Sequence, residues 1–197
     1  PEEVQATREN LQWSHGPFEI PDDFYIAWDA TSKGDELESN WNEVFSDYRK
    51  DFPDLAEEFE RRMLGYLPES FSKQADLFIE KCQKDELQIA TRKASQNCLD
   101  AYGPLLPELI GGSADLAGSN NTIWSDSKGI DSKDASGNYI YYGVREFGMS
   151  AIMSGISLHG GLVPYGATFL VFMEYARNAV RMASLMRIKN IFVYTHD

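Results

Sequence analysis

The chain has 197 residues, of which 43% are hydrophobic and 25% charged, a composition that predicts a folded protein with a sizeable core. Its formal net charge of −13 argues against nucleic acid as a partner, because phosphate backbones are bound by clustered Lys and Arg. The two cysteines, Cys82 and Cys98, form no CxxC motif, and so few cysteines indicate a reducing compartment.

The negative charge is concentrated in the first part of the chain. Up to Ala90 there are 22 acidic and 9 basic side chains, whereas from Thr91 onward there are 9 of each. We interpret the first part as a solvated covering and the second as a segment that buries much of its surface. Because neither a long uncharged apolar run nor a basic leader occurs, the sequence predicts a cytoplasmic protein without a membrane span.

The first 90 residues contain an irregular segment and three predicted helices. Residues 15–30 carry two prolines and several aromatic residues without a regular period, which predicts an extended segment lying on a surface. Apolar residues at helical spacing then predict helices within 40–52, 53–68 and 72–82.

Helices and strands alternate after Thr91. A helix is predicted from Thr91, as its N-cap, to the stop at Gly103 and Pro104. Later helices are predicted within 146–161 and 170–188. Short apolar runs, one of them entering the glycine pair Gly111 and Gly112, predict strands within 108–116, 138–144 and 190–197. The alternation predicts an α/β fold, in which a mostly parallel sheet is flanked by helices on both faces.

Two acidic residues follow predicted strands, where ligands of parallel sheets bind. Asp115 follows "IGGSA" and Glu146 follows "YYGVR". The pattern alone leaves an ordinary structural explanation open: Asp115 could cap a turn, and Glu146 could open a helix whose dipole favours a carboxylate.

Several long motifs occur along the chain. They are "PFEIPDDFYIAWDA" (17–30), "TRKASQN" (91–97), "ELIGGSADLAGSN" (108–120), "NYIYYGVREFGM" (138–149), "GISLHGGLVPYGATFLVFMEYARNAVR" (155–181) and "FVYTHD" (192–197). In this order they resemble the pyrimidine-binding domain of bacterial transketolases and the sequence just upstream of it. The resemblance implies a thiamine diphosphate-binding fold that is incomplete here. Residues 1–90 would hold the tail of the diphosphate-binding domain and an acidic helical linker, and residues 91–197 a truncated pyrimidine-binding domain.

The resemblance implies a function and a catalytic residue. Transketolases use thiamine diphosphate to transfer a two-carbon ketol unit reversibly from a ketose phosphate, such as xylulose 5-phosphate, to an aldose phosphate, such as ribose 5-phosphate. Glu146 matches the glutamate that hydrogen-bonds the aminopyrimidine ring and activates the cofactor. Asp115 and Leu116 match positions beside the cofactor. The aromatic positions around its pyrimidine ring match Phe169, Phe172 and Tyr175, with Phe172 expected to stack on the ring.

The resemblance also places the substrate, the metal and the partner subunit. Arg92 and Ser119 match residues that hold the sugar phosphate, a role suited to a guanidinium and a hydroxyl donor. The family commonly has proline where this chain has Gly118, which indicates a looser loop beside Ser119. The Mg or Ca ion would have its ligands outside this chain, and a second subunit of a homodimer would complete the site, so the fragment is expected to be inactive alone.

Other readings of the same residues stay open at this point. The aromatic residues could belong to the core, Arg92 could be a solvated surface charge, and Asp115 could hold its loop. A related enzyme such as 1-deoxy-xylulose-5-phosphate synthase would share the region around Glu146, and a non-catalytic dimerisation module could keep the same fold. We expect His159 to be a packing residue, while the sequence defines no environment for His196.

Overall fold

A computed structural model describes residues 2–196 of the chain, which divide into two compact units. The first unit reaches Ala56 and the second begins at Glu57. The helices are α1 (Glu2–Asn10), α2 (Asp22–Trp28), α3 (Thr31–Asp51), α4 (Pro53–Met63), α5 (Phe71–Asp85), α6 (Thr91–Tyr102), α7 (Ala117–Asn120), α8 (Glu146–His159) and α9 (Met173–Met186). The strands are β1 (Leu109–Ser113), β2 (Tyr139–Tyr141), β3 (Val163–Phe169) and β4 (Ile191–Thr195).

Two local predictions are wrong, one for an extended segment and one for the start of a helix. The segment 15–30 is not extended throughout, because Asp22–Trp28 forms α2. Pro21 precedes this helix in an extended conformation and two aspartates occupy its first turn, where the helix dipole favours them. The N-cap of α6 is Ala90 rather than Thr91, and it makes no side-chain capping bond.

The sheet is entirely parallel, with the strand order β2-β1-β3-β4. The longest of its four strands is β3, which pairs with β1 on one side and β4 on the other and which the sequence pattern did not predict. The helices α8 and α9 pack against each other, and α8 also packs against β3. The α/β fold with a parallel sheet is therefore confirmed.

Glycines let β1 and β3 approach their neighbours closely. A side chain at Gly111 would meet Tyr165, and one at Gly112 would meet the carbonyl of Ile140. A side chain at Gly166 would meet the sulfur atoms of Met149 and Met153, which project from α8. The absence of a side chain at Gly166 therefore allows α8 to pack directly on the backbone of β3.

Apolar side chains pack at both ends of the sheet, in two clusters. Near the carboxyl ends of the strands, Ala114 and Tyr142 pack with the methionines of α8. Near the amino ends, Leu106, Leu109 and Tyr165 are buried against α6 and neighbouring residues. Up to Ala90, by contrast, Ala56 is the only buried residue that the structure describes. Within residues 2–196, no helix combines the length and apolar character needed to cross a bilayer.

Candidate active site

A crevice is expected where the strand order reverses. The connection after β1 leads to β2 on one side, whereas the connection after β3 leads to β4 on the other side. Ligands of parallel α/β sheets bind at such a switch point, outside the carboxyl ends of the strands. Asp115 follows β1 and Phe169 ends β3, so these two predicted residues lie on the two strands between which the crevice is expected.

Glu146 lies at the N-terminus of α8, a few residues after β2. It is 8% exposed, and no hydrogen bond or ion pair to its carboxylate occurs within residues 2–196. The positive end of the α8 dipole favours a negative charge at this position. A carboxylate that is largely buried and has no protein partner can accept a hydrogen bond from a ligand that reaches it.

The loop after β1 holds Asp115 in an unusual conformation. Its φ of 61° lies in the left-handed region, which aspartate tolerates better than most residues, and its side chain is exposed. The next residue, Leu116, donates its backbone N–H to Ser113 Oγ at 3.2 Å. No described group pairs with the Asp115 carboxylate. The loop is instead held by the hydrogen bonds that Ser113 Oγ makes with Leu116 and Asn120.

Arg92 and Ser119 meet, although not through the Ser119 hydroxyl. Arg92 Nη1 donates to the backbone carbonyl of Ser119 at 3.1 Å and lies 3.0 Å from Nε2 of His196. In the described chain Arg92 has no carboxylate partner, so its positive charge is not neutralised. The sequence defined no role for His196, because nothing in the pattern indicates that the end of β4 reaches the start of α6.

The three predicted aromatic residues form a continuous row. The Phe169 and Phe172 rings are stacked, with centroids 5.7 Å apart and planes at 21°. Phe172 contacts Tyr175 at 6.1 Å, and Phe169 contacts His196 at 5.0 Å. None of the three rings is buried, and Tyr175 is 70% exposed. Their accessibility favours a ligand-facing role over membership of the core.

These contacts join six residues into one group, which we call the Arg92–aromatic row. Glu146 lies apart from it, because β2 and β3 are separated by β1 and two strand spacings span about 10 Å. The carboxyl end of the sheet therefore has a carboxylate near β2 and an aromatic and cationic row near β3 and β4. The members of the row are Arg92, Ser119, His196, Phe169, Phe172 and Tyr175.

Several strand-end hydroxyls are also buried without a partner in the described chain. They include Tyr142 Oη, after β2, and Thr168 Oγ1, beside Phe169. Burial raises the pKa of Tyr142 to about 12, so its hydroxyl stays protonated and can act as a donor at neutral pH. Residues 2–196 contain no group of three or more His, Cys, Asp or Glu side chains that could hold a metal ion.

The fold is that of an α/β domain with a parallel sheet, the class in which ligands bind at the switch point. The family model of the transketolase pyrimidine-binding domain matches residues 87–197, which is more than half of the chain. The model of the transketolase thiamine diphosphate-binding domain matches residues 1–68. The chain therefore belongs to the transketolase family, whose members are transferases.

Curated relatives match the chain along its whole length. Transketolase 2 of Vibrio parahaemolyticus is 60% identical over 196 residues, which cover 100% of this chain and 30% of the relative. Transketolase 1 of Escherichia coli K12 is 59% identical over 195 residues, which cover 99% of this chain and 29% of the relative. The chain thus spans about 30% of the length of these relatives. They give no support to the alternative thiamine enzyme or the non-catalytic module.

Solved structures of transketolases share the fold. The Pichia stipitis enzyme, in complex with sedoheptulose 7-phosphate, superposes with a TM-score of 0.80 at 36% identity, covering 92% of this chain and 27% of that one. The Campylobacter jejuni transketolase superposes with a TM-score of 0.73 at 28% identity, covering 100% of this chain and 28% of that one.

Proposed function

We propose that this chain supplies the pyrimidine side of a transketolase active site. The complete protein would transfer a two-carbon ketol unit from a ketose phosphate to an aldose phosphate, using thiamine diphosphate, in the pentose phosphate pathway. The observation that carries the proposal is the arrangement of side chains at the carboxyl end of the sheet. The unpaired carboxylate of Glu146 lies on the β2 side, and the Arg92–aromatic row lies on the side of β3 and β4.

The side chains at the crevice fit the pyrimidine portion of thiamine diphosphate. A flat heteroaromatic ring requires an aromatic surface and a hydrogen-bond acceptor, which Phe172 and Glu146 can provide. When bound, the cofactor supplies the electron sink that stabilises negative charge after cleavage of the ketose carbon–carbon bond. We expect the diphosphate and its Mg or Ca ion to be held by residues outside this chain.

Glu146 would hydrogen-bond a ring nitrogen of the aminopyrimidine and stabilise positive charge there. Its position at the N-terminus of α8 fixes the carboxylate by the helix backbone rather than by a flexible loop. Asp115 and Leu116 would lie beside the cofactor from the β1 side. The negative charge of Asp115 would favour the cationic thiazolium ring.

The polar members of the Arg92–aromatic row would bind the phosphate end of the sugar. Arg92 has a free positive charge, and a guanidinium binds phosphate through paired hydrogen bonds. His196 Nε2 lies 3.0 Å from Arg92 Nη1 and accepts its hydrogen bond, so the other ring nitrogen, Nδ1, carries a proton that it can donate. The Ser119 hydroxyl would complete this set, because its backbone carbonyl is already fixed by Arg92.

The proposal includes the wider organisation of the complete protein. Residues 1–90 would form the tail of the diphosphate-binding domain and a helical linker, and residues 91–197 the first part of the pyrimidine-binding domain. A second subunit would bring the diphosphate half to the crevice, so that the active protein is a cytoplasmic homodimer. The fragment alone would bind the cofactor weakly.

The test is ketol transfer by the complete protein that contains this chain. Wild type should transfer from xylulose 5-phosphate to ribose 5-phosphate in the presence of thiamine diphosphate and magnesium. Glu146→Gln, which keeps the shape and removes the charge, should lower kcat by about 100-fold or more. A wild-type protein that binds thiamine diphosphate but transfers no ketol unit would refute the substrate assignment.

Glu174→Gln is the matched control for Glu146→Gln. Glu174 also lies in the first turn of a helix, but it is exposed and lies 3.8 Å from Arg177. Its substitution should leave transfer unchanged. Equal losses in the two variants would show that Glu146 has no particular role.

A further inference from the structure

Asn120 is buried in a polar connection at the carboxyl end of the sheet. It is 0% exposed, and its side-chain amide has partners on both sides. Its Oδ1 accepts a hydrogen bond from Ser113 Oγ at 2.7 Å, and its Nδ2 donates to Thr195 Oγ1 at 2.6 Å. We call Ser113, Asn120 and Thr195 the Asn120 bridge.

The Asn120 bridge joins two strands that are not neighbours. Ser113 ends β1 and Thr195 ends β4, while β3 lies between them. The hydroxyl of Ser113 lies 3.1 Å from the Ala167 carbonyl of β3, so all three strand ends are connected. A single amide therefore ties the loop after β1 to the last residue of β4.

Each end of the bridge lies next to a residue of the proposed site. Ser113 Oγ accepts the N–H of Leu116, and Asn120 donates its own backbone N–H to the Leu116 carbonyl at 2.8 Å. Asn120 directly follows Ser119, whose carbonyl is bound by Arg92. Thr195 directly precedes His196, which lies against the same guanidinium. The loop, the arginine and the histidine thus form a closed ring of contacts through the bridge.

We infer that Asn120 is a positioning residue that sets the Arg92–His196 pair relative to the cofactor-side loop. This inference rests on the proposed function and deepens it. Loss of the bond to Thr195 would free the end of β4, and His196 with it, while the sheet pairing of β4 persists. Binding of the sugar phosphate would weaken because its donors would no longer be held in one geometry.

A purely structural role for the bridge predicts a different outcome. In that case removal of either hydrogen bond would lower the stability of the fold without a selective effect on phosphorylated ligands. Asn190 provides the matched control, because it makes a similar connection at the amino end of β4. It accepts from Ser157 Oγ at 2.6 Å and donates to Ser154 Oγ at 3.1 Å.

The experiment uses the complete protein with four variants, Thr195→Val, Thr195→Ser, Asn120→Leu and Asn190→Leu. Thr195→Val keeps the shape of the side chain and removes its hydroxyl, whereas Thr195→Ser keeps the hydroxyl. Each protein is measured for Tm, for the Kd of ribose 5-phosphate by calorimetry without a ketose donor, and for KM and kcat with xylulose 5-phosphate.

Thr195→Val should raise both the Kd of ribose 5-phosphate and the KM of xylulose 5-phosphate about tenfold. Its kcat should stay within about twofold of wild type, because the bridge does not touch the reacting atoms. Thr195→Ser should bind ribose 5-phosphate as wild type does. Asn120→Leu, if it folds, should raise Kd and KM at least as much as Thr195→Val. Asn190→Leu should lower Tm and leave both constants unchanged.

The inference is overturned if Thr195→Val and Asn190→Leu both lower Tm and both leave Kd and KM unchanged. It is also overturned if Thr195→Ser is as impaired as Thr195→Val. Failure of the proposed function gives a different result, namely a wild-type protein that transfers no ketol unit. The Kd measurement still tests the bridge in that case, because it requires no turnover.

Discussion

The two ends of the parallel sheet both carry a buried glutamate, but within residues 2–196 only the one at the amino end has a side-chain partner. Glu108 precedes β1, is 3% exposed, and accepts hydrogen bonds from Arg61 at 2.8 and 3.0 Å. Glu146 follows β2 and has no such partner in the part of the chain that the structure describes. The paired carboxylate stabilises the fold, and the unpaired one remains available for a ligand.

The same difference extends to the cations at the two ends. The guanidinium of Arg61 also binds Glu58, at 2.7 Å for two of its nitrogens, so two carboxylates neutralise its charge; it donates to the Tyr66 carbonyl as well. Arg92, at the carboxyl end, binds only a carbonyl and a histidine ring. The arginine and the glutamate at the amino end of the sheet are therefore paired with each other, whereas those at the carboxyl end have no partner of opposite charge within residues 2–196.

The largest expected effect is on stability, at the amino end. Arg61→Met leaves the buried carboxylate of Glu108 without a partner, which should lower the free energy of unfolding by about 3 to 5 kcal/mol. The measurement is urea unfolding of the chain. Arg62→Met is the control, because Arg62 makes one bond to Glu58 and is more exposed. Equal losses in both variants would remove the distinction between the two arginines.

The next effect is on binding, at the carboxyl end. Arg92→Met should raise the KM of sugar phosphates about 10- to 100-fold in the complete protein, because a charged hydrogen-bond donor is lost. Stability should change little, since Arg92 has no buried carboxylate to satisfy. Arg177→Met, which removes an exposed arginine of α9, should leave KM unchanged. A large loss of stability with an unchanged KM would show that Arg92, like Arg61, stabilises the fold and does not bind substrate.

The amino end should also respond to acid. The hydrogen bond from Arg61 lowers the pKa of Glu58 to about 2, from an ordinary value of 4.5, against the opposing effect of burial. Because the folded-state pKa is the lower one, the stabilisation is complete above pH 4.5 and is lost as the pH falls towards 2. Glu58→Gln should flatten the decline of the urea midpoint across this range. An identical decline in both proteins would show that Glu58 makes no contribution.

The smallest effect concerns Gly118, which lies in the short helix α7 beside Ser119. A side chain at this position would meet no atom within 4 Å, and Gly118 has no positive φ. Gly118→Ala should therefore raise the free energy of unfolding by about 0.5 to 1 kcal/mol, because glycine is the less favourable residue in a helix. Thermal unfolding measures the change. A decrease in Tm would show that this position in α7 requires glycine.

The sequence predicted the strands that look apolar and missed the one that lies between them. Residues of β3 include Pro164, Gly166 and Ala167, which have weak strand propensity. The strand forms because β1 and β4 pair with it on both sides and because Gly166 admits the methionines of α8. Such tertiary requirements leave no alternating pattern in the sequence.

The resemblance identified the candidate residues, whereas only the structure shows which of them are in contact. Asp115 and Glu146 could be located at strand ends from the pattern alone. The meeting of Arg92 with His196 joins residues 104 positions apart, and the Asn120 bridge joins residues 75 apart. Local periodicity carries no information over such separations, so neither contact could be predicted.

The most direct test of the central claim is a crystal structure of the complete protein with thiamine diphosphate. We predict that a ring nitrogen of the aminopyrimidine lies within about 3 Å of the Glu146 carboxylate. The ring should also lie against Phe172. An aminopyrimidine bound elsewhere, with Glu146 left unpaired or paired to another protein group, would contradict the account.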